Sequence, residues 1–389
     1  MTCFQIFGSA EQTRSALSDF QLVLPSKPTS YGSCAFGIFR DISPSLSLAV
    51  ESELRNLGAN FTSSTSEKCA CTVACASVGV FHTLARSPVL AQSGLAASIA
   101  AELARFAPKV IWRVRGRHIE IGARPLVMGI LNVTPDSFSD AGQFLQRDAA
   151  IARALSMIEE RADIIDIGGQ SSRPGAVPIS EQEEEERVLP VLSEIRGKCS
   201  IPISVDTFYA SSAARYLDAG AEIVNDISAM RHPSEMARVI SASGAGVILM
   251  HMRGEPRTMQ SDPTYADVVQ EVRTFLDERI TCAESAGIPL ECIAVDPGIG
   301  FGKMLEHNLQ IVRSLGGFAA RGRPVVLGHS RKGFIGMLSG RPIADRDVET
   351  LVLSVKVALD GSASIIRVHD VSSTVRALDF LEKLGCFPT

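Results

Sequence analysis

The sequence predicts an α/β protein in which a (β/α)8 TIM barrel follows a small α/β N-terminal domain. From about residue 124, eight short apolar runs alternate with longer stretches of helical period. Eight strands, each followed by a helix over roughly 265 residues, are typical of this barrel. A doubly wound open sheet is the alternative, but no GxGxxG turn follows any of the eight runs.

The predicted strands lie between residues 126 and 370. They are LVMGILNV (126–133), DIIDIGG (163–169), IPISVDT (201–207), EIVNDIS (222–228), GVILMHM (246–252), CIAVDPG (292–298), PVVLGHS (324–330) and SIIRVHD (364–370). A helical stretch follows each strand, from RDAAIARALSMIEERA after the first to VSSTVRALDFLEKLG after the last. The run EQEEEE (181–186) is expected to be a solvated helix start with Ser180 as its N-cap.

The chain is predicted to divide near residue 110. Residues 1–110 lack the barrel rhythm and are predicted to form a small α/β domain, to which we assign no function. Residues 111–389 are predicted to form the barrel domain, with a catalytic core at about 124–385. At its start, VIWRVRGRHIEIG (110–122) predicts a two-strand hairpin that covers the closed end of the barrel.

Composition narrows the class of protein. The chain is 46% hydrophobic and 21% charged, which suits a globular protein with a sizeable core. A net charge of −5 argues against nucleic acid as the main partner. No uninterrupted run of about 18 apolar residues predicts a membrane span, and the N-terminus does not resemble a signal peptide. Nine scattered cysteines favour a reducing, cytoplasmic location over a disulfide framework.

Hydrogen-bonding side chains follow every predicted strand. Catalytic groups of such barrels sit at the carboxyl ends of the strands, so eight polar ends predict one shared site. These groups are Asn132, Gly168 and Gly169 with the loop QSSRPG, Asp206, Asn225 and Asp226, Met250 and His251, Asp296 with PGIGFGK, Ser330 to Lys332, and Arg367, His369 and Asp370.

The chemistry of these side chains predicts two subsites. A flat heterocycle bearing amide and amino groups would satisfy the donors and acceptors of Asp206, Asn225, Asp296 and Lys332. Arg173, Arg367 and His369 suit an anionic group such as a diphosphate. Asn132 offers an oxygen for Mg²⁺, which usually takes few protein ligands beside phosphate and water. No Ser or Cys lies in a nucleophile motif, so displacement of a diphosphate leaving group is the predicted reaction.

Eight motifs in order resemble the dihydropteroate synthases over about residues 124–385. They are MGILNVTPDSFSD, DIGGQSSRPG, SVDT, IVNDI, LMHMRGEPRTMQ, DPGIGFGK, SRK and RVHD. The resemblance implies a transferase of folate biosynthesis that joins 6-hydroxymethyl-7,8-dihydropterin diphosphate to 4-aminobenzoate. Diphosphate and 7,8-dihydropteroate would be the products. It further implies Mg²⁺ dependence, an S_N1-like course, a homodimer and inhibition by sulfonamides.

The resemblance also assigns roles to residues. Asn132 would bind Mg²⁺, and Asp206, Asp296 and Lys332 would be catalytic. The substrate-binding residues would be Asp206, Asn225, Met250, Asp296 and Lys332 for the pterin, Arg173, Arg367 and His369 for the diphosphate, and Ser172, Pro174, Phe138, Phe301 and Ser330 for the aminobenzoate, together with Val368.

Two other functions are compatible with a pterin-binding barrel. A pterin-binding methyltransferase would share the pterin carboxylates, and a non-catalytic module would bind pterin without turnover. A methyltransferase has no reason to keep the anion-binding groups of Arg173, the Ser330–Lys332 loop and Arg367 with His369. The intact Asn132 and both cationic groups argue against a non-catalytic module, so the synthase is favoured. The strand-2 loop reads GGQSSRPG where the family often has GGESTRPG. We therefore expect altered affinity for sulfonamides.

Overall fold

The structure is a computed structural model. It describes residues 4–7, 13, 35–57, 59–65, 70–76, 80–81, 84–85, 87–105, 110–134, 143–171, 179–232, 235–255, 258–319 and 322–387. The described strands form an antiparallel sheet in the N-terminal region, a two-stranded hairpin and a ring of parallel strands. No helix within the described ranges has the length and apolarity needed to span a membrane.

The N-terminal region forms a four-stranded antiparallel sheet in the order β1-β2-β4-β3. Its strands are β1 (Phe4–Phe7), β2 (Ala35–Ile42), β3 (Asn60–Thr65) and β4 (Ala70–Ala76), and its helices are α1 (Pro44–Asn56), α2 (Pro88–Ala91) and α3 (Leu95–Arg105). Ser43 caps α1 by accepting from the Leu46 backbone N–H at 3.2 Å, and Pro44 occupies the first turn. Buried residues from Phe4 to Ile99 form a core of their own. That separate core supports the two-domain division, whose boundary at residue 110 stays a prediction.

The barrel contains eight parallel strands. They are β7 (Leu126–Asn132), β8 (Ile164–Gly168), β9 (Ile203–Asp206), β10 (Ile223–Asp226), β11 (Gly246–Met250), β12 (Ile293–Asp296), β13 (Val326–Leu327) and β14 (Ile365–Val368). Hydrogen bonds join them in the order β12-β11-β10-β9-β8-β7-β14-β13. A parallel bridge between Val295 and Val325 joins the two ends and closes the ring. The predicted (β/α)8 barrel is confirmed.

Helices surround the strands. They are α4 (Gln143–Glu159), α5 (Glu181–Arg196), α6 (Ala210–Asp218), α7 (Glu235–Ser243), α8 (Val268–Ser285), α9 (Leu305–Arg313), α10 (Gly333–Ser339), α11 (Asp347–Leu359) and α12 (Val371–Lys383). Within the described ranges, short 3₁₀ helices occupy Leu290–Cys292, Leu315–Phe318 and Ile343–Asp345. Because side chains alternate along a strand, every second barrel residue packs outward against these helices and the others face the interior.

The acidic run at the start of α5 is only partly as predicted. Ser180 is the N-cap, since its hydroxyl accepts from the Glu183 backbone N–H at 3.2 Å. However, Glu184 and Glu185 are buried, 1% and 6% exposed. Glu184 accepts a hydrogen bond from Tyr216, and Glu185 pairs with residues of α6. The expectation of a purely solvated helix start was wrong, because this face of α5 packs against α6.

The predicted hairpin plugs the amino-terminal end of the barrel. Its strands are β5 (Val110–Val114) and β6 (Arg117–Ile121). Trp112 is fully buried and packs among inward-facing residues from the first half of the barrel strands, with its indole N–H donating to the Cys292 carbonyl at 2.9 Å. A Cβ at Gly246 would lie 2.4 Å from Val114 Cγ1, so the hairpin approaches β11 where only glycine fits.

We expect Trp112→Ala to lower the free energy of unfolding by about 3–5 kcal/mol, because it empties a fully buried site beneath the barrel. Trp112→Phe keeps most of the volume and loses the hydrogen bond, so its cost should be about 1–2 kcal/mol. Urea unfolding followed by circular dichroism measures both. Equal costs for the two variants would contradict the plug.

Candidate active site

A cleft of about 1300 Å³ opens at the carboxyl ends of the barrel strands. Predicted site residues from several strand ends line it together: Asn132, Asp206, Phe301, Ser330, Lys332, Arg367 and His369. Three others, Asn225, Met250 and Asp296, lie at neighbouring strand ends and are at most 5% exposed. Phe138, Ser172, Arg173 and Pro174 lie outside the described residues. The structure thus brings together the predicted residues that it describes, apart from Val368.

Val368 is a correction to the predicted site. Side chains alternate along β14, so Arg367 and His369 face the mouth while Val368 points the other way. Its side chain is fully buried in the core between the strands and the helices. Only the backbone of Val368 is left for a substrate.

The Arg367 guanidinium joins two carboxylates inside the barrel. Its Nε donates to Asp166 Oδ2 at 2.6 Å and its Nη2 donates to Asp206 Oδ2 at 3.1 Å. The Asn225 amide donates to the same Asp166 oxygen at 3.1 Å. These four side chains come from four strands and form the polar floor of the cleft. Arg367 was predicted to bind an anion, and here its guanidinium also neutralises the floor.

Asp166 was missed in the sequence analysis. It is fully buried in the middle of β8 and shares its inward face with Gly168. A signal was present, because an aspartate in the centre of an apolar strand is costly unless it is paired. Ranking only the last residue of each strand overlooked this position, which lies one layer deeper.

Charges in the floor shift one another's pKa values. Burial raises the pKa of Asp206; the Arg367 guanidinium opposes this shift and the Asp166 carboxylate adds to it. Burial also raises the pKa of Asp296, and Lys332 opposes that shift. Both carboxylates are therefore held in a site where a cation or an N–H donor from a ligand would stabilise their ionised form.

Lys332 approaches the cleft from the loop after β13. Its ammonium donates to the Ile299 carbonyl and lies 4.5 Å from the centroid of the Phe301 ring. Burial lowers the pKa of Lys332 to about 8, although Asp296 acts in the opposite direction. Phe301 in turn packs with Met250 and other buried residues, which gives the cleft an apolar wall.

A second hydrogen-bonded group lies across the cleft. His369 Nδ1 is 2.9 Å from the Ser330 hydroxyl, and its Nε2 is 3.5 Å from the Asn132 amide nitrogen. Arg153 of α4 donates to the His369 carbonyl at 3.0 Å and is itself held by Glu160 at 2.6 Å. Helix α4 therefore fixes the backbone of the last strand where it reaches the mouth.

Comparison with known proteins identifies the family. Residues 128–369 match the family described as pterin binding enzyme. The chain is 44% identical over 252 residues to the dihydropteroate synthase of Synechocystis sp., a match that covers 65% of this chain and 87% of that protein. The chain belongs to the dihydropteroate synthases.

Other dihydropteroate synthase relatives agree. The mitochondrial folate synthesis bifunctional protein of Arabidopsis thaliana is 47% identical over 260 residues, covering 63% of this chain and 47% of that protein, so the chain spans about half its length. A structure of Xanthomonas albilineans dihydropteroate synthase with 4-aminobenzoic acid has a TM-score of 0.67 at 40% identity, covering 72% of this chain and 100% of that one. The resemblance seen in the motifs is confirmed, as is the prediction of a transferase of folate synthesis.

We expect the kcat/KM for the pterin substrate of this family to fall above about pH 8, because the buried Lys332 ammonium then loses its proton. Lys332→Arg keeps its charge at every accessible pH, so the alkaline limb should disappear while the maximal rate drops. A pH–rate profile of both proteins tests this. If the alkaline limb were unchanged in the variant, a group other than Lys332 would be its cause.

Proposed function

We propose that the cleft binds both substrates of dihydropteroate synthesis and joins them there. The reaction condenses 6-hydroxymethyl-7,8-dihydropterin diphosphate with 4-aminobenzoate, releasing diphosphate and 7,8-dihydropteroate. The observation that carries the proposal is the polar floor: Asp166, Asp206, Asn225 and Arg367 converge beneath a cleft with an apolar wall. A pterin ring has donors and acceptors along one edge and apolar faces, which such a floor and wall complement.

The pterin ring would lie on the floor between two carboxylates. Asp206 and Asp296 would accept from its N–H groups, and the Asn225 amide and Lys332 ammonium would donate to its nitrogen and oxygen atoms. Met250 lies beneath this position and contributes to the apolar wall. The ring would then gain hydrogen bonds from groups already buried before it binds, so little reorganisation is needed.

The diphosphate would occupy the side of the cleft with Asn132 and His369. Arg367 adds a positive charge from below, and Arg173 is proposed as a further cation. These donors match the oxygens of an anion better than they match a methyl donor, which disfavours the methyltransferase alternative.

The same side suits Mg²⁺. Among the described residues, no group of three His, Cys, Asp or Glu side chains could hold a metal by itself. Asn132 and Asp206 both line the cleft, and their Oδ1 and Oδ2 atoms converge beside Gly168, where an added Cβ would lie 3.9 Å from each. Asn132 would hold the ion together with diphosphate oxygens and water. When bound, Mg²⁺ would neutralise charge on the leaving diphosphate.

We propose an S_N1-like course. The carbon–oxygen bond to diphosphate breaks first, and its electron pair leaves with the diphosphate. The aminobenzoate nitrogen then attacks the pterin-stabilised cation and gives up a proton. Asp206 and Asp296 would stabilise the developing positive charge because their carboxylates lie in a buried, preorganised site. The apolar wall of Phe301 and Met250 would limit the access of water, which could otherwise capture the cation.

The aminobenzoate would bind over the floor, next to the pterin. Phe301 and Ser330 line the cleft on that side, and the Lys332 ammonium above Phe301 offers a positive charge. Phe138, Ser172 and Pro174 are proposed to complete this subsite. Sulfonamides would compete for it, with an affinity altered by Ser172.

We also propose a homodimer formed through α11 and α12. Exposed apolar side chains cluster on these two adjacent helices: Val348, Val352, Phe380 and Leu384 are 60–71% exposed. Covering them with a second copy would remove apolar surface from water on both subunits. We further propose a cytoplasmic location, which is supported by the free thiols of Cys199, Cys282, Cys292 and Cys386.

We expect the purified chain, given both substrates and Mg²⁺, to form 7,8-dihydropteroate and release diphosphate, identified by mass spectrometry. Asp206→Ala and Lys332→Ala should each lower kcat/KM by about 10²-fold or more, and chelation of Mg²⁺ should stop turnover reversibly.

Asp218→Ala, an exposed carboxylate at the end of α6, is the matched control and should leave the rate unchanged. A protein stabilised by pterin diphosphate that released no diphosphate would instead be a binding module. Full activity of both site variants would refute the assignment of the floor.

We expect Val352→Glu to convert the dimer to a monomer in sedimentation velocity, because a charge would be buried at the interface. Val89→Glu, at an exposed valine of the N-terminal region, is the control and should leave the sedimentation coefficient of the dimer unchanged. A dimer that persists in Val352→Glu would place the interface elsewhere.

A further inference from the structure

The loop after β12 curls around a buried lysine. It runs from Pro297 to Lys303 as PGIGFGK, and its three glycines have φ values of +68°, +82° and +60°. An added Cβ would lie 1.8 Å from the His251 carbonyl oxygen at Gly298, and 2.4 Å from the Arg253 carbonyl oxygen at Gly302. Only glycine permits this path, so the curl is a built feature of the loop.

The Lys303 ammonium fills the inside of the curl. Its Nζ lies 2.9 Å from the Gly298 carbonyl oxygen, 3.0 Å from that of Phe301 and 2.8 Å from His251 Nδ1, with the His251 carbonyl oxygen at 3.4 Å. The residue is 3% exposed. All four acceptors are uncharged groups. Three or more acceptors require the three N–H donors that only the ammonium form supplies.

His251 connects this lysine to the floor of the cleft. Burial, together with the positive charge of Lys303, lowers the pKa of His251, so its imidazole is neutral, and we assign it the tautomer in which Nδ1 accepts from the Lys303 ammonium. The His251 backbone N–H donates to the Asp296 carbonyl at 2.9 Å. The Asp296 side chain accepts from the Gly298 N–H at 2.6 Å, so hydrogen bonds link His251, Asp296 and the loop to one another.

The outer side of the same loop supports Lys332. The Lys332 ammonium binds the Ile299 carbonyl and lies over the Phe301 ring. Both of these contacts are made by residues within the curl. The position of Lys332 therefore depends on a loop whose inward carbonyls are held by Lys303.

We propose that Lys303 is a positioning residue for Lys332 and Asp296 in the reaction. It holds the 297–302 loop from within and adds a positive charge behind the carboxylate of Asp296. This inference rests on the proposed function of the cleft. Lys303 itself need not touch substrate, since its donors are already occupied by the protein.

The charge of Lys303 should act on both partners. Burial lowers the pKa of Lys303, Asp296 opposes that shift, and the acceptors within 3.0 Å of Nζ favour the ammonium form. The positive charge stabilises Asp296 in its ionised form, and the Lys303 and Lys332 ammonium groups oppose each other's protonation. Removing the charge should raise the pKa of both groups. The charged and titratable groups that face this cluster from the surrounding elements are Asp206, Arg231, His251, Arg253 and Arg367.

The experiment separates charge from geometry with two substitutions. Lys303→Met removes the positive charge and the hydrogen-bond donors. The kcat/KM for the pterin substrate should fall about tenfold, and both limbs of its pH profile should move to higher pH by about half a unit or more. Lys303→Arg keeps the charge in a planar fork that does not fit these acceptors, so the rate should fall while both limbs stay in place. Lys198→Met, at an exposed lysine just after the end of α5, is the control and should match the unaltered protein.

Two further variants keep the test decisive if Lys303→Met does not fold. His251→Asn keeps an acceptor near Nδ1 and should retain activity, whereas His251→Phe removes it and should lower kcat/KM. The inference would be overturned if Lys303→Met melted like the control and kept both its rate and the two limbs of its pH profile. Equal activities of the two His251 variants would also overturn it. An inactive unaltered chain would instead refute the proposed function.

Discussion

The ion pairs of Arg367 with Asp166 and Asp206 are the interaction on which the mouth of this barrel depends. A TIM barrel interior is normally filled with apolar side chains, and burying two carboxylates there costs free energy unless a cation compensates them. Arg367 makes this compensation from β14, which lies two strands from Asp166 and three from Asp206 around the ring, with one nitrogen for each carboxylate. The polar floor can exist because these strands close into a barrel, which brings distant parts of the sequence within hydrogen-bonding distance.

The amino-terminal end of the barrel contributes to stability, and the carboxyl-terminal end holds the functional site. At the amino-terminal end, Trp112 and its hairpin seal an apolar layer of inward-facing residues such as Met128, Ile164 and Ile248. At the carboxyl end, the inward positions become polar within one or two residues of each strand's end. The apolar layer beneath lowers the local dielectric constant, which strengthens every charge interaction in the floor above it.

Side chains behind the cleft hold the residues that line it. Arg153 binds the carbonyl of His369, Arg187 binds that of Gly169 at 2.9 Å, and Lys303 binds the loop beneath Lys332. Each of these cations donates to backbone rather than to a ligand. Precise placement matters in such a site because a developing cation is stabilised by charges that are already in position before it forms.

The sequence by itself determined the strand order, the helical period and the polar strand ends. These features depend on local patterns of residues, which any sheet surrounded by one layer of helices must show. It also placed Asn132, Asp206, Asp296 and Lys332 at one mouth, since parallel strands all end on the same side. Only the tertiary structure decided that Asp166 lies in the floor, that Val368 points away and that Glu184 is buried. Those outcomes depend on strand register and on which neighbour a side chain meets across the ring, and neither is encoded in residues that are adjacent in the sequence.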